Sequence, residues 1–319
     1  MERKTEEAVP LYEGKMVQMF DHRAADVVMN MENLARAAQQ EAIADGAKQR
    51  FDRFPTPQYF VRATELPADC AAGWFVGYKE ITAPTNVRTM IALLLPSVAF
   101  GNKVPLLMED TRHGKLPAGD ACLLVATMNS FAFDFVLRRK IQGQTINLFI
   151  LEQLCVIAPE RFEQRMDSLA EDSAKLVGTS TSSVRTDMSA APAGKRLARA
   201  KDNETIADFI RAEVLALTYT AHDMAPFARD MGYVDATGDV RPPFVWDAED
   251  RAHRMARLDA IFMRLYGLSE DDASYVLSTF PIVKKQDEAA YGHYRTRDLI
   301  LGYMRALGQQ RLTHDNADA

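Results

Sequence analysis

Three consecutive cations, Arg138, Arg139 and Lys140, are followed closely by Gln142, Gln144 and Asn147, with Gly143 and Thr145 between the amides. Arginine presents a rigid fork of donors that matches guanine O6 and N7, and glutamine or asparagine pairs bidentately with adenine. Arg139, Gln142, Gln144 and Asn147 are therefore candidate base readers. Arg138 and Lys140 suit phosphate oxygens, which position a duplex without identifying it. The same residues also suit a quieter role, since cations complement the negative end of a helix and amides bond within turns. On the first reading the partner is nucleic acid.

Further candidates lie upstream. Phe100-Gly101-Asn102-Lys103 has the composition of a loop that lets backbone approach a phosphate, and equally that of an ordinary turn, which makes Asn102 and Lys103 candidate DNA contacts. Lys15 follows Gly14 in an extended-looking stretch, VPLYEGKMVQMFDHR, whose Val9, Leu11, Met16 and Phe20 can anchor it to a larger body. Arg88 follows a Pro-Thr-Asn turn and suits either a phosphate contact or a surface cation. In Phe20-Asp21-His22-Arg23, Asp21 is placed to orient the His22 imidazole as in a general-base pair. No serine or cysteine nucleophile accompanies it, so His22 and Arg23 are read as structural hydrogen bonders or DNA contacts.

Several chemistries are disfavoured. Glu109, Asp110 and Lys115 are close in sequence but occupy a Gly-containing turn, a poor frame for a metal-dependent nuclease. The six histidines stand in no metal-ligand spacing, so no metal site is expected. Arg241-Pro242-Pro243-Phe244 looks like the Asp/Asn-Pro-Pro-aromatic motif that holds a flipped base, but its first residue must accept a hydrogen bond and arginine only donates. No glycine-rich loop suited to S-adenosylmethionine and no Walker-type phosphate loop is present. The three cysteines, Cys70, Cys122 and Cys155, are read as reduced thiols, with Cys122 and Cys155 buried in apolar runs.

Charge is unevenly spread. The whole chain carries −6, which argues against non-specific coating of nucleic acid. Lys79 to Asn147 holds eight Lys or Arg against five Asp or Glu, whereas the chain after Cys155 holds 21 against 26. The positive potential collects around the polar turn. No apolar run approaches the roughly 20 residues of a membrane span, and Met-Glu-Arg-Lys-Thr-Glu-Glu is no signal peptide, so a cytoplasmic location is expected.

The elements that must position these groups can be read from periodicity. Residues 24–50 are Ala-rich with few β-branched side chains, which predicts a helix. YFVRAT, GWFVGYKEI and MIALLLPSVAF read as strands bounded by turn residues. Residues 118–140 read as one helix with Asp120 near its start, and residues 146–157 as a short strand or second helix. A helical run over residues 159–177 leads into a Ser/Thr/Ala/Gly-rich linker at residues 178–203. Beyond Glu204 the period is helical, with Leu258, Ile261, Phe262 and Leu265 on one face and Ser269 capping a further helix.

PLYEGKMVQMFDHR, RTMIALLLPSVAFGNKVPLL, NSFAFDFVLRRKIQGQTINLFILEQL, LTYTAHDMAPFARDMGY and YVLSTFPIVKKQDEAAYGHYRTRDLI occur in that order. Together they resemble the C-terminal target-recognition half of the large adenine-specific DNA methyltransferases of type IIG restriction-modification and phage-defence systems. The pattern of elements predicts an α+β fold: an N-terminal extended segment and helix (residues 1–50), a mixed small-sheet module (51–157), a helix and linker or insertion (158–203), and a mainly helical C-terminal subdomain (204–319), and the resemblance implies that the 51–157 module is the target-recognition one. It also implies that this chain chooses the DNA site. S-adenosylmethionine and the catalytic residues would belong to a methyltransferase domain or subunit elsewhere, so the chain alone is expected not to catalyse. Two departures stand out: Cys155 replaces the family's proline after the polar turn, and residues 161–203 look like an insertion. The alternative is an assembly module that joins other defence proteins through its C-terminal helices without touching DNA.

Overall fold

The computed structural model describes residues 8–30, 32, 37–66, 73–108, 116–170, 204–310, 312 and 314. The readings placed on Cys70, Glu109, Asp110, Lys115 and the 178–203 linker fall outside these residues. Strand β1 (Ala8–Tyr12) pairs antiparallel with β4 (Tyr59–Arg62) and parallel with β7 (Ala99–Phe100). Strands β2 (Ala25–Met29) and β3 (Ala38–Ala42) form an antiparallel pair. The third sheet, ordered β6-β5-β8, joins β5 (Trp74–Tyr78) to β6 (Ala92–Pro96) and β8 (Leu106–Leu107). Helices dominate the described chain beyond these strands, so the fold is α+β.

Side chains along β5 and β6 alternate between two apolar clusters. Trp74, Val76, Tyr78, Ala92 and Leu94 enter the large helical core, while Phe75, Leu93 and Leu95 meet Tyr12, Met16, Val17 and Val27. With both faces covered, these strands read as unbroken apolar runs. Space on the smaller side is tight at Gly77, where a Cβ would stand 2.7 Å from Leu95 Cδ1 and 3.2 Å from the Pro105 carbonyl oxygen.

Among the described residues, the long helix expected over residues 24–50 is not formed. That stretch contains β2, β3 and a single turn, α1 (Asp45–Lys48). Val27 is buried in the smaller cluster, and β3, largely exposed, is held by its ladder to β2. Tertiary pairing has overridden a weak local preference for helix.

The single helix expected over residues 118–140 is two helices, α2 (Ala118–Asn129) and α3 (Phe131–Lys140), bent by 59°. Two side chains at the joint explain the break. Asn129 donates to the Ala92 carbonyl at 2.8 Å and accepts its N–H at 2.9 Å, tying the end of α2 to the edge strand β6. Ser130, in extended backbone, accepts from the Phe133 N–H at 3.2 Å and so caps α3. After α3 come the short α4 (Leu148–Leu151) and α5 (Pro159–Phe162). Among the described residues no single helix is long and apolar enough to cross a membrane.

The helical part matches its periodicity: α6 (Ile206–Thr218), α7 (Ala225–Asp230), α8 (Ala248–Leu265), α9 (Glu270–Ser278), α10 (Pro281–Tyr291) and α11 (Arg295–Gly308). Capping boxes start α6 at Thr205 with Asp208 and α9 at Ser269 with Asp272. Its apolar faces do not form a separate core. Phe131 meets Phe280 edge-on at 4.7 Å, Trp74 meets Phe227 at 5.5 Å, and one cluster runs from Phe20 to Leu312. The polar turn is therefore mounted on a body braced by the whole helical half.

Candidate nucleic-acid interface

Four of the cations and imidazoles expected to meet DNA are instead interior struts. Arg23 is fully buried, and its guanidinium donates to the carbonyl oxygens of Lys48, Arg50, Arg53 and Thr220 and to the Thr220 hydroxyl, all at 2.9 to 3.1 Å. His22 is buried with Nε2 2.9 Å from Asp223 Oδ1. Asp21 does not orient it: its carboxylate takes the Arg23 N–H at 2.9 Å and Lys48 Nζ at 2.6 Å. Closed to solvent, His22 serves neither as a general base nor as a DNA contact.

Arg88 and Arg138 converge on one buried carboxylate. Arg88 Nε donates to Asp134 Oδ2 at 3.1 Å, and Arg138 Nε to Asp134 Oδ1 at 3.4 Å. Each guanidinium also lies over a ring, Arg88 over Phe131 at 3.7 Å and Arg138 over Phe280 at 4.0 Å. Arg138 further donates to the carbonyl oxygens of Asn86 and Val87 at 2.7 and 3.0 Å. Burial lowers the Arg138 pKa, against the pull of Asp134. Neither residue presents its charge to a ligand. Their role is to fasten the β5–β6 connection to α3, which sets where α3 ends.

Past that end the chain emerges. Ile141 and Ile146 are buried, and between them Gln142, Gly143 and Gln144 are exposed. The turn is clamped at its base: Thr82 N–H donates to the Gln144 carbonyl at 2.9 Å, Ile146 N–H donates to the Glu80 carbonyl at 3.0 Å, and Ile81 bridges antiparallel to Thr145. Backbone is thus fixed while side chains are free. Among the described residues, the amides of Gln142, Gln144 and Asn147 have no intramolecular hydrogen-bond partner. A Cβ at Gly143 would meet nothing within 4 Å, so the approach to this backbone is open.

The turn borders a cleft of about 640 Å³. Arg139 reaches it with its guanidinium stacked on Phe135 at 3.5 Å and donating to the Phe135 carbonyl at 3.0 Å. Lys140 Nζ is 3.3 Å from Gln153 Oε1. Neither cation is paired with a carboxylate among the described residues. A fixed, stacked guanidinium loses less freedom on binding than a mobile one.

Lys15, Asn102 and Lys103 gather at a second cleft of about 450 Å³, with Tyr59, Lys79 and Ile81. Gly14 allows this gathering, because a Cβ there would stand 2.9 Å from the Lys103 carbonyl oxygen. The charge is partly offset: Lys15 lies 3.3 Å from Glu13, and Lys103 lies 2.9 Å from Glu80. Burial lowers the pKa of Lys79, whose ammonium lies 3.4 Å from the Val17 carbonyl. Ile81 lines this cleft and bridges to Thr145, which lines the first. The Glu80–Thr82 segment therefore forms the wall between the two.

The structure also adds groups that the sequence reading passed over. Phe149 and Gln153 line the first cleft, and Tyr59, Lys79 and Ile81 the second. No sequence signal marked Phe149, because helical spacing sets it beside Ile146 and Ile150, which are buried, whereas Phe149 is exposed. Cys155, expected inside, is a free and exposed thiol in the coil after α4, whereas burial raises the pKa of the Cys122 thiol. Arg241 is exposed and is braced within its turn, its Nε donating to the Val234 carbonyl at 2.8 Å and its carbonyl accepting from Tyr219 Oη at 2.9 Å. Among the described residues no cluster of three or more His, Cys, Asp or Glu side chains is arranged to hold a metal ion. Compared with protein-family models, curated proteins and solved structures, the chain matches none.

Proposed function

We propose that this chain recognises a site in double-stranded DNA on behalf of an adenine-N6 methyltransferase of a restriction-modification or phage-defence system, in the cytoplasm. S-adenosylmethionine and the transfer chemistry belong to a catalytic domain or subunit outside the residues described. The supporting observation is the clamped turn: three unpartnered amides, with a stacked arginine and a lysine not neutralised by carboxylates, border one open cleft. Arg139, Gln142, Gln144 and Asn147 read bases, and Lys140, Lys15, Asn102 and Lys103 hold the phosphate backbone. Arg23, His22, Arg88 and Arg138 belong to the scaffold.

Binding of the full chain to labelled mixed-sequence duplex, measured over a range of salt, tests this reading. Affinity should fall steeply with added salt, and Lys103→Ala and Lys140→Ala should each reduce the logarithmic slope by about one. Absence of binding at low salt would contradict it. A second reading, protein assembly without DNA contact, has support in Tyr275 and Tyr291, exposed on α9 and α10. It predicts that salt and these lysines are without effect on a DNA signal that is absent from the start.

A further inference from the structure

We infer that Phe149 is a wedge that enters the base stack of the bound duplex and unstacks one step beside the bases contacted by the 142–147 turn. The inference rests on the DNA-reading proposal and adds a mechanical step to it. Phe149 is 60% exposed although it sits in an apolar run. The residues around it, Ile146, Ile150 and Leu154, are buried and anchor the flanking chain in the core. Its backbone is held as well: the Phe149 carbonyl accepts from Gln153 Nε2 at 2.9 Å, and Gln153 Oε1 in turn accepts from Lys140 Nζ at 3.3 Å. A large ring is thus carried on a fixed mount, joined through one glutamine to a cation of the same cleft.

The surroundings decide which partner suits the ring. A protein partner would have to bring carboxylates placed for both Arg139 and Lys140, which form no ion pair among the described residues. A duplex supplies phosphates for both cations and an apolar base stack for the ring. Proteins that deform DNA insert such residues, phenylalanine among them, between base steps and gain contact area from the resulting bend. Leu148, exposed next to Phe149, extends the apolar tip.

The test uses the full chain and duplexes that the wild-type protein enriches from a randomised pool, with 2-aminopurine placed in turn at each position of the enriched motif. Binding by wild-type protein should raise fluorescence at one step. On duplex saturated with protein, Phe149→Ala should lose that rise, and Phe149→Trp should keep it. An unchanged rise with Phe149→Ala, in protein with the wild-type unfolding curve, overturns the wedge and leaves base reading standing. Failure of Phe149→Trp to retain a rise that Phe149→Ala loses also overturns it, because any aromatic wedge should serve. Failure of the wild-type chain to enrich any motif overturns both the wedge and the reading on which it rests.

Discussion

The main-chain N–H of Thr82 donates to the carbonyl oxygen of Gln144 at 2.9 Å, fixing an exposed polar turn to a buried residue. With the Ile146-to-Glu80 bond beside it, this makes the turn behave as a short added strand that leaves Gln142 and Gln144 exposed. Stability and recognition are thereby separated in the same few residues. Gln142→Ala and Gln144→Ala should leave urea unfolding within about 0.5 kcal/mol of wild type, as expected of exposed side chains without partners. DNA affinity should fall in both. Matched losses of stability and binding would show that these amides are structural.

The opposite separation is expected at Asp134. It is buried and holds both Arg88 and Arg138, so Asp134→Ala leaves two guanidinium groups uncompensated in the interior. The expected cost is about 3–5 kcal/mol in denaturant unfolding. Asp134→Asn, which preserves an acceptor but not the charge, should lie between the two.

Arg23 gives a sharper geometric test. Its planar fork satisfies four carbonyl oxygens and a hydroxyl drawn from residues 48–53 and from Thr220. Lysine keeps the charge but has only three donors on a single nitrogen. Arg23→Lys should therefore destabilise nearly as much as Arg23→Met in thermal unfolding. Full rescue by lysine would mean that charge, rather than the fork, holds these segments.

These two clusters mark where the sequence was opaque. Helix starts were legible because their signals are local: Thr205 with Asp208, and Ser269 with Asp272, lie within one turn. Strands β5 and β6 were legible as apolar runs. Arg88 and Arg138 looked like ligand-binding cations because the carboxylate that Arg88 meets lies 46 positions away and the Phe280 ring under Arg138 lies in another part of the chain. Likewise the β2–β3 pair has a weak local signature, since what fixes it is burial of Val27 against distant residues. The exposed turn was readable as a turn because its signal is local, Gln142, Gly143 and Gln144 standing between the apolar Ile141 and Ile146.

Stability should also depend on pH through His314. Its ring stacks on Phe209 at 4.1 Å, with Nδ1 bonded to Glu213 at 2.5 Å and Nε2 to Glu204 at 3.1 Å. Burial opposes its charge, but the hydrogen bonds and attraction of Glu204 and Glu213 outweigh it and raise the pKa to about 9. A raised folded-state pKa stabilises fully below the unfolded value near 6.5, and the contribution fades as pH rises through about 9. Wild-type stability should therefore fall relative to His314→Gln between those pH values. Parallel curves for the two proteins would contradict the assignment.

Base reading by the clamped turn is the central claim, and selection from a randomised duplex pool by wild-type and Arg139→Ala proteins addresses it most directly. Wild type should enrich a defined motif, and Arg139→Ala should relax one guanine-containing position at a cost of about 1–3 kcal/mol to the preferred sequence. Enrichment of no motif by wild type, or an equal loss for every sequence with Arg139→Ala, would contradict it.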